Sequence, residues 1–253
     1  MPRPPRLTPF HRRLERLKGR YHGAIAAALA QRPRQSSKAI ALTVLGEHVA
    51  VKAQDADGWS GVWDAFRRAT DEFFNLAMEL GVDEAETHLR RETPPALVER
   101  LREAVRDRLV AFGRVVDTHL RVDVEAGDYE ASPDDLAADT DAQESLDAEL
   151  DRRLGRYADA LHPVAYEGLA STTFDAGVLM VWQVDPGADN CADCIDLEAD
   201  NPYCAPEDEI DGAMPLPTYP GDGDTDCRSN CHCSLAFEET SWNNYVAANG
   251  LAA

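Results

Sequence analysis

The chain is 253 residues long, 44% apolar, and carries a formal net charge of -21. That length accommodates one large domain or two smaller ones, and no run of about 18 apolar residues is available to cross a bilayer. The charge is split, because residues 1–38 hold ten Lys or Arg and one acid, Glu15, while the rest holds 15 basic and 45 acidic residues. A basic arm on an acidic body suits a polyanion or an acidic partner surface at one end and repels nucleic acid elsewhere.

Met1 to Leu7 is rich in Pro and Arg and reads as unstructured on its own. Thr8-Pro9 then reads as a helix start. Phe10, Leu14, Leu17, Tyr21, Ile25 and Leu29 recur every three or four residues, which is one apolar stripe. His11, Arg12, Arg13, Arg16, Lys18 and Arg20 lie beside and opposite it. The helix should dock by the stripe and present arginines elsewhere. Ala24 to Ala30 belongs to this helix face rather than to a secretory signal.

Pro33 ends the first helix, and Ser37 caps an expected second one with Ile40, Val44, Leu45, His48 and Val49 on its apolar side. Asp55 to Gly58 reads as a turn. A third helix carries Trp59, Val62, Trp63, Phe66, Phe73, Phe74, Leu76 and Leu80, with Gly81 as its stop. Trp59, Trp63, Phe66 and Phe73 are the expected core of the helical region, or part of a subunit interface. Thr93-Pro94-Pro95 opens a fourth helix through about Leu120, with Leu97, Leu101, Val105, Leu109, Phe112 and Val116 at helical spacing.

Residues 123–151 contain 12 acids and no base, so the first part reads as a linker. Ser132-Pro133 with Asp135 then begins a helix to about Arg156. A short helix over 164–175 leads to a strand over 178–184, which is rich in branched and aromatic residues. Pro186-Gly187 closes the strand. Residues 198–226 read as an irregular loop, and Cys233 to Phe237 as a second strand able to pair with the first. The fold class is α+β: a long-helix N-terminal region followed by a small zinc-stabilised α/β C-terminal domain. The divisions are a basic arm and helix over 1–38, a helical region over 39–122, an acidic linker and helix over 123–156, a cysteine-rich zinc-binding domain over 157–240, and a tail over 241–253.

All six cysteines follow residue 190. Cys191-x2-Cys194 and Cys227-x3-Cys231-x-Cys233 are two short clusters joined by a loop, and such clusters supply thiolates in pairs to a tetrahedral metal. The preferred ligands are Cys191, Cys194, Cys227 and Cys231, with Cys233 as the substitute, closing around one structural Zn2+. Cys204 has no partner at motif spacing and reads as a free thiol or an auxiliary ligand. Disulfides are the alternative, but Cys-x2-Cys and Cys-x-Cys are too close to bridge themselves comfortably. A site with four protein ligands leaves no open position for substrate. The chain has no His-Glu-x2-His, no Gly-x-Ser-x-Gly and no phosphate-binding glycine loop, so a non-enzyme is expected.

Trp182-x-Val184, then Cys191-x2-Cys194-x2-Leu197, an irregular loop with Pro215 and Pro217, and Asn230-Cys231-x-Cys233-x-Leu235 form a longer pattern. It resembles the C-terminal domain of phage head-morphogenesis proteins, the minor head proteins related to the F protein of phage Mu. The resemblance covers about residues 157–237. Cys227 stands, displaced by one position, where that family has a histidine, and His232 stands where it has an arginine between the last cysteines. The resemblance implies a structural minor head protein in the virion, near the portal, and in the host cytoplasm during assembly. Its implied partners are the portal or other head components. Arg12, Arg13, Arg16, Lys18 and Arg20 could add nonspecific DNA contact, and the protein could form an oligomer. The alternative is an intracellular zinc-binding adaptor with no role in a particle.

Overall fold

A computed structural model describes residues 7–30, 56–121, 154–222, 224–226 and 233–251. Helix α1 (Thr8–Ala30) forms as its apolar spacing requires, and all six residues of the stripe are buried. The Leu7 carbonyl accepts the first helical bond, from the His11 amide at 3.0 Å, so the helix starts one residue earlier than a Thr8 cap would place it. Arg12, Arg16 and Arg20 are exposed, as expected of the opposite face.

Helix α2 (Ala56–Leu89) is longer than its sequence suggested at both ends. Ala56 to Gly58 are helical rather than part of a turn, and Gly81 does not stop the helix. Gly81 stays because α2 crosses α4 (Leu161–Asp175) there at close range. A Cβ on Gly81 would stand 2.0 Å from the Ala165 carbonyl oxygen, and one on Gly168 would stand 2.5 Å from the Met78 oxygen. The helical cost of each glycine, about 1 kcal/mol, is offset by backbones that pack with no side chain between them. Trp63, Phe66 and Phe73 are buried, which puts them in the core; the side chain of Trp59 lies outside the described residues.

Helix α3 (Pro95–Val115) begins where the Pro pair predicts, with Pro94 at its cap position, and continues as a π-helical turn over Val116–Arg121. Leu97, Leu101, Val105 and Val116 are buried. A helical turn over 154–159 precedes α4, which begins at Leu161, ahead of Pro163. The expected helix from Ser37, the acidic linker and the helix start at Ser132-Pro133 lie outside the described residues.

The sheet has the order β3 (Met214–Pro215), β2 (Tyr203–Cys204), β1 (Met180–Gln183), β4 (Ser234–Phe237). Strand β1 (Met180–Gln183) pairs antiparallel with β4 (Ser234–Phe237), as expected, in the register Met180↔Phe237 to Gln183↔Ser234. The residues between them are not all irregular. They hold helix α5 (Ala192–Ala199) and the two-residue strands β2 (Tyr203–Cys204) and β3 (Met214–Pro215). Helix α6 (Glu239–Ala248) follows β4, its first amides capped by the Glu238 carboxylate, which accepts from Thr240 N at 2.8 Å and Ser241 N at 2.6 Å. The architecture is N-terminal helices followed by a mixed α/β region. One hydrophobic cluster runs through both, from Leu7 to Val246. Among the described residues, no helix is long and apolar enough to cross a membrane.

Candidate metal centre

The first cysteine pair sits on the opening turn of α5. Cys191 is the N-cap residue, with extended backbone (φ -73, ψ 163), and its carbonyl accepts from Ile195 N at 3.2 Å. Cys194 is one turn in and fully buried.

Helix α5 is held along β1 by polar contacts between side chains and backbone. Glu198 accepts from Val184 N at 3.1 Å. Asn201 brackets Trp182, accepting from its amide at 2.6 Å and donating to its carbonyl at 2.8 Å. The Tyr203 hydroxyl donates to the Leu197 carbonyl at 2.6 Å, and burial, helped by Asp200, pushes that phenol up to about 12, so it remains a donor.

The second cluster approaches the same corner. Ser234 pairs with Gln183, so Cys233 lies just beyond the end of the β1–β4 ladder from which the chain departs toward Cys191. Cys233 is buried. Asp226 N donates to the Asp193 carboxylate at 2.8 Å, which sets the residue before Cys227 against the opening turn of α5. Cys227 and Cys231 themselves lie outside the described residues, as does His232. Among the described residues, no three His, Cys, Asp or Glu side chains converge as a ready metal cage. Two cysteines share one turn, a third stands at the adjoining strand end, and the chain carrying two more is tied to that turn.

Cys204 is elsewhere. The register Met180↔Tyr203 puts it beyond the opposite end of β1 from Cys233. It is buried, and its thiol donates to the carbonyls of Asp208 at 3.6 Å and Met214 at 3.5 Å. Trp182 is fully buried on the inward face of β1, and among the described residues its indole Nε1 has no hydrogen-bond partner.

A second polar cluster, absent from the sequence reading, ties the cysteine-bearing loop to the helices. Arg108 on α3 donates from Nε to Glu167 at 2.8 Å and from its two terminal nitrogens to Asp222 at 2.5 and 3.2 Å. Its guanidinium also lies over the Tyr219 ring, 5.9 Å from the centroid. Burial first, and then the Glu167 charge, push the Tyr219 phenol up to about 12. Gly221 adopts φ +81 and passes against His162, a conformation that only glycine takes readily. Pairings such as Arg108 with Asp222, 114 positions apart, leave no spacing signal in a sequence. Asn201-Pro202 does leave one, since that dipeptide marks a turn.

On α1, Arg13 pairs with the buried Glu84, Lys18 pairs with Asp159 at 2.7 Å, and the Arg20 guanidinium lies over the Phe73 ring. Arg13, Arg16 and Arg20 line an open groove of about 360 Å³ against Leu76, Glu79, Leu80 and Asp83 of α2. No protein-family profile, no curated protein and no solved structure matches the chain.

Proposed function

We propose that the protein is a structural minor component of a phage head, working near the portal vertex, and that one zinc ion closes its cysteine corner. The reading is supported by the position of Cys233 just beyond the end of the β1–β4 ladder from which the chain departs toward the Cys191–Cys194 turn. That is the residue pattern in which the sequence resembles head-morphogenesis proteins. Cys191 and Cys194 would supply one pair of thiolates, and Cys227 and Cys231 the other, with Cys233 as the substitute. Zinc held by four thiolates cross-links the fold and has no open position, so the protein is not an enzyme in this reading. The exposed Arg12, Arg16 and Arg20 support docking of α1 on an acidic neighbour or on DNA phosphates.

Two measurements test the proposal. Elemental analysis of reduced, purified protein should find about one tightly bound zinc per chain. Mature particles, or complexes assembled with the portal, should contain the chain at low or ring-matched copy number relative to the major shell protein. Absence of metal with intact Cys–Cys crosslinks would overturn the zinc centre. Consistent absence from particles and portal complexes would overturn the head role and favour an intracellular adaptor.

A further inference from the structure

The geometry points to Cys191 and Cys194 as a reversible dithiol–disulfide pair that exchanges with small cationic disulfides. The inference goes beyond the zinc reading and does not depend on it. Cys191 is the N-cap residue of α5, with extended backbone, and Cys194 is the third residue of the helix. Those are the two positions whose side chains reach toward each other in a capping box. The turn itself therefore brings the pair together. Its two members differ in access. Cys191 is partly exposed and Cys194 is fully buried, so a disulfide from solvent meets Cys191 first and Cys194 lies behind it. The other described cysteines do not share this arrangement. Both are buried, Cys233 just past one end of the β1–β4 ladder and Cys204 beyond the opposite end of β1. A bridge across two intervening residues closes a tight ring, which makes it easily reduced and fits it for exchange rather than for stapling the fold.

The exchange balances in two steps. The Cys191 thiolate, the small fraction that an accessible thiol carries near neutral pH, attacks one sulfur of the incoming disulfide. A bond to the Cys191 sulfur forms, the incoming S–S bond breaks, and one thiolate leaves. The Cys194 thiolate then attacks the Cys191 sulfur and expels the second thiolate. The two protons lost by the cysteines pass to the two departing thiolates, so the chain is oxidised by two electrons and the small disulfide is reduced by two. The setting selects the partner by charge. Asp193 lies between the two cysteines, exposed Asp189 and Asp196 flank them, and the Asp193 carboxylate also holds the amide of exposed Asp226. No Lys or Arg occurs between Arg156 and Arg228. A field of this sign draws cationic disulfides and repels anionic ones.

The test uses the full reduced chain kept in chelator, with cystamine as the cationic probe and glutathione disulfide as the anionic one. After quenching, cleavage between Ala192 and Asp193 separates the two cysteines, so mass spectrometry reads the bridge directly. Wild type should form a Cys191–Cys194 bridge that a dithiol reductant reverses. Cys194→Ser should instead accumulate the mixed disulfide on Cys191, and Cys191→Ser should leave Cys194 unmodified. Cystamine should react about 10-fold faster than glutathione disulfide at low salt, and the gap should close as salt is raised. A Cys191 that stays reduced, or that bridges to Cys227, Cys231 or Cys233 instead of Cys194, would overturn the pair. Equal rates with the two probes would overturn the selection by charge. Neither result touches the zinc centre, which elemental analysis of unchelated protein reads separately. If Cys194→Ser does not fold, wild type alkylated briefly at Cys191 decides: Cys194 should then resist cystamine, and its modification at the unblocked rate would sink the proposed order of attack.

Discussion

Gly81 and Gly113 are both helical glycines, and their surroundings give opposite signs to the same substitution. A methyl group on Gly81 would collide with the backbone of α4, whose Ala165 oxygen cannot rotate away. Gly81→Ala should therefore cost about 3 kcal/mol as the α2–α4 crossing is forced apart. Gly113 on α3 has nothing within 4 Å of a built Cβ, so Gly113→Ala should stabilise the fold by about 0.5–1 kcal/mol through better helix propensity. Urea midpoints of the two variants should move in opposite directions, and a neutral Gly81→Ala would mean that the two helices are not in backbone contact. Gly81 also shows why the α2 boundary was hidden. A glycine after an apolar stripe reads as a stop, and the physical reason it is not one is the backbone of a helix much later in the chain.

Between elements, charge does what apolar pattern does within them. Glu84 on α2 is 95% buried by its side-chain exposure of 5%, and takes Arg13 from α1 and His88 from its own helix, at 2.9 Å. Burial alone would raise its pKa, but the hydrogen bond from His88 and the charge of Arg13 outweigh it and hold the carboxyl below the usual range. Its stabilisation is thus complete above the unfolded carboxylate pKa, about 4.3, and is lost as pH falls through the lowered folded value. His11, bonded to the buried Tyr166, is lowered by burial against the raising effect of Glu15 and Glu84. Its contribution has the same sign, present above about pH 6.5 and lost below it. Denaturation curves between pH 7.5 and 3 should show both losses. Glu84→Gln should flatten the acid limb below about pH 4.5, and His11→Gln the shallower limb above it. Unchanged slopes in either variant would remove that group from the acid response. Arg108→Met leaves Glu167 and Asp222 facing each other without a cation, and should cost about 2 kcal/mol, with faster amide exchange in the loop around residue 222. Equal exchange would show that the loop is held without Arg108. The stripes of α1 and α3, the start at Pro95 and the β1–β4 pair were legible because each is a local pattern. Strands β2 and β3 were not, since two-residue strands amid Asp, Pro and Gly carry no alternation to read. In the candidate centre the five cysteines stood out by spacing, whereas Glu198, Asn201 and Arg108 did not, because each acts through a fold contact.

At the scale of the whole molecule, the helical region and the cysteine-bearing region share one continuous core. Helix α4, which the sequence groups with the cysteines, lies against α2 at the glycine crossing and also meets β1. Calorimetry should therefore record one unfolding transition, with the circular dichroism and tryptophan fluorescence changes coincident. Chelation of the proposed zinc should lower that single midpoint rather than release a separate unit. Two resolved transitions would divide the core in two. The crossing of α2 with α4 has a further consequence for the order of events on the ribosome. Arg91, just past α2, meets Asp175 at the end of α4 across 84 positions. At about 5–20 residues per second of synthesis, α1 and α2 leave the exit tunnel several seconds before the helix that covers them. Throughout that interval the nascent chain displays the Met78 face of α2 with no α4 to bury it, which makes it a natural client for a holding chaperone until translation passes residue 175.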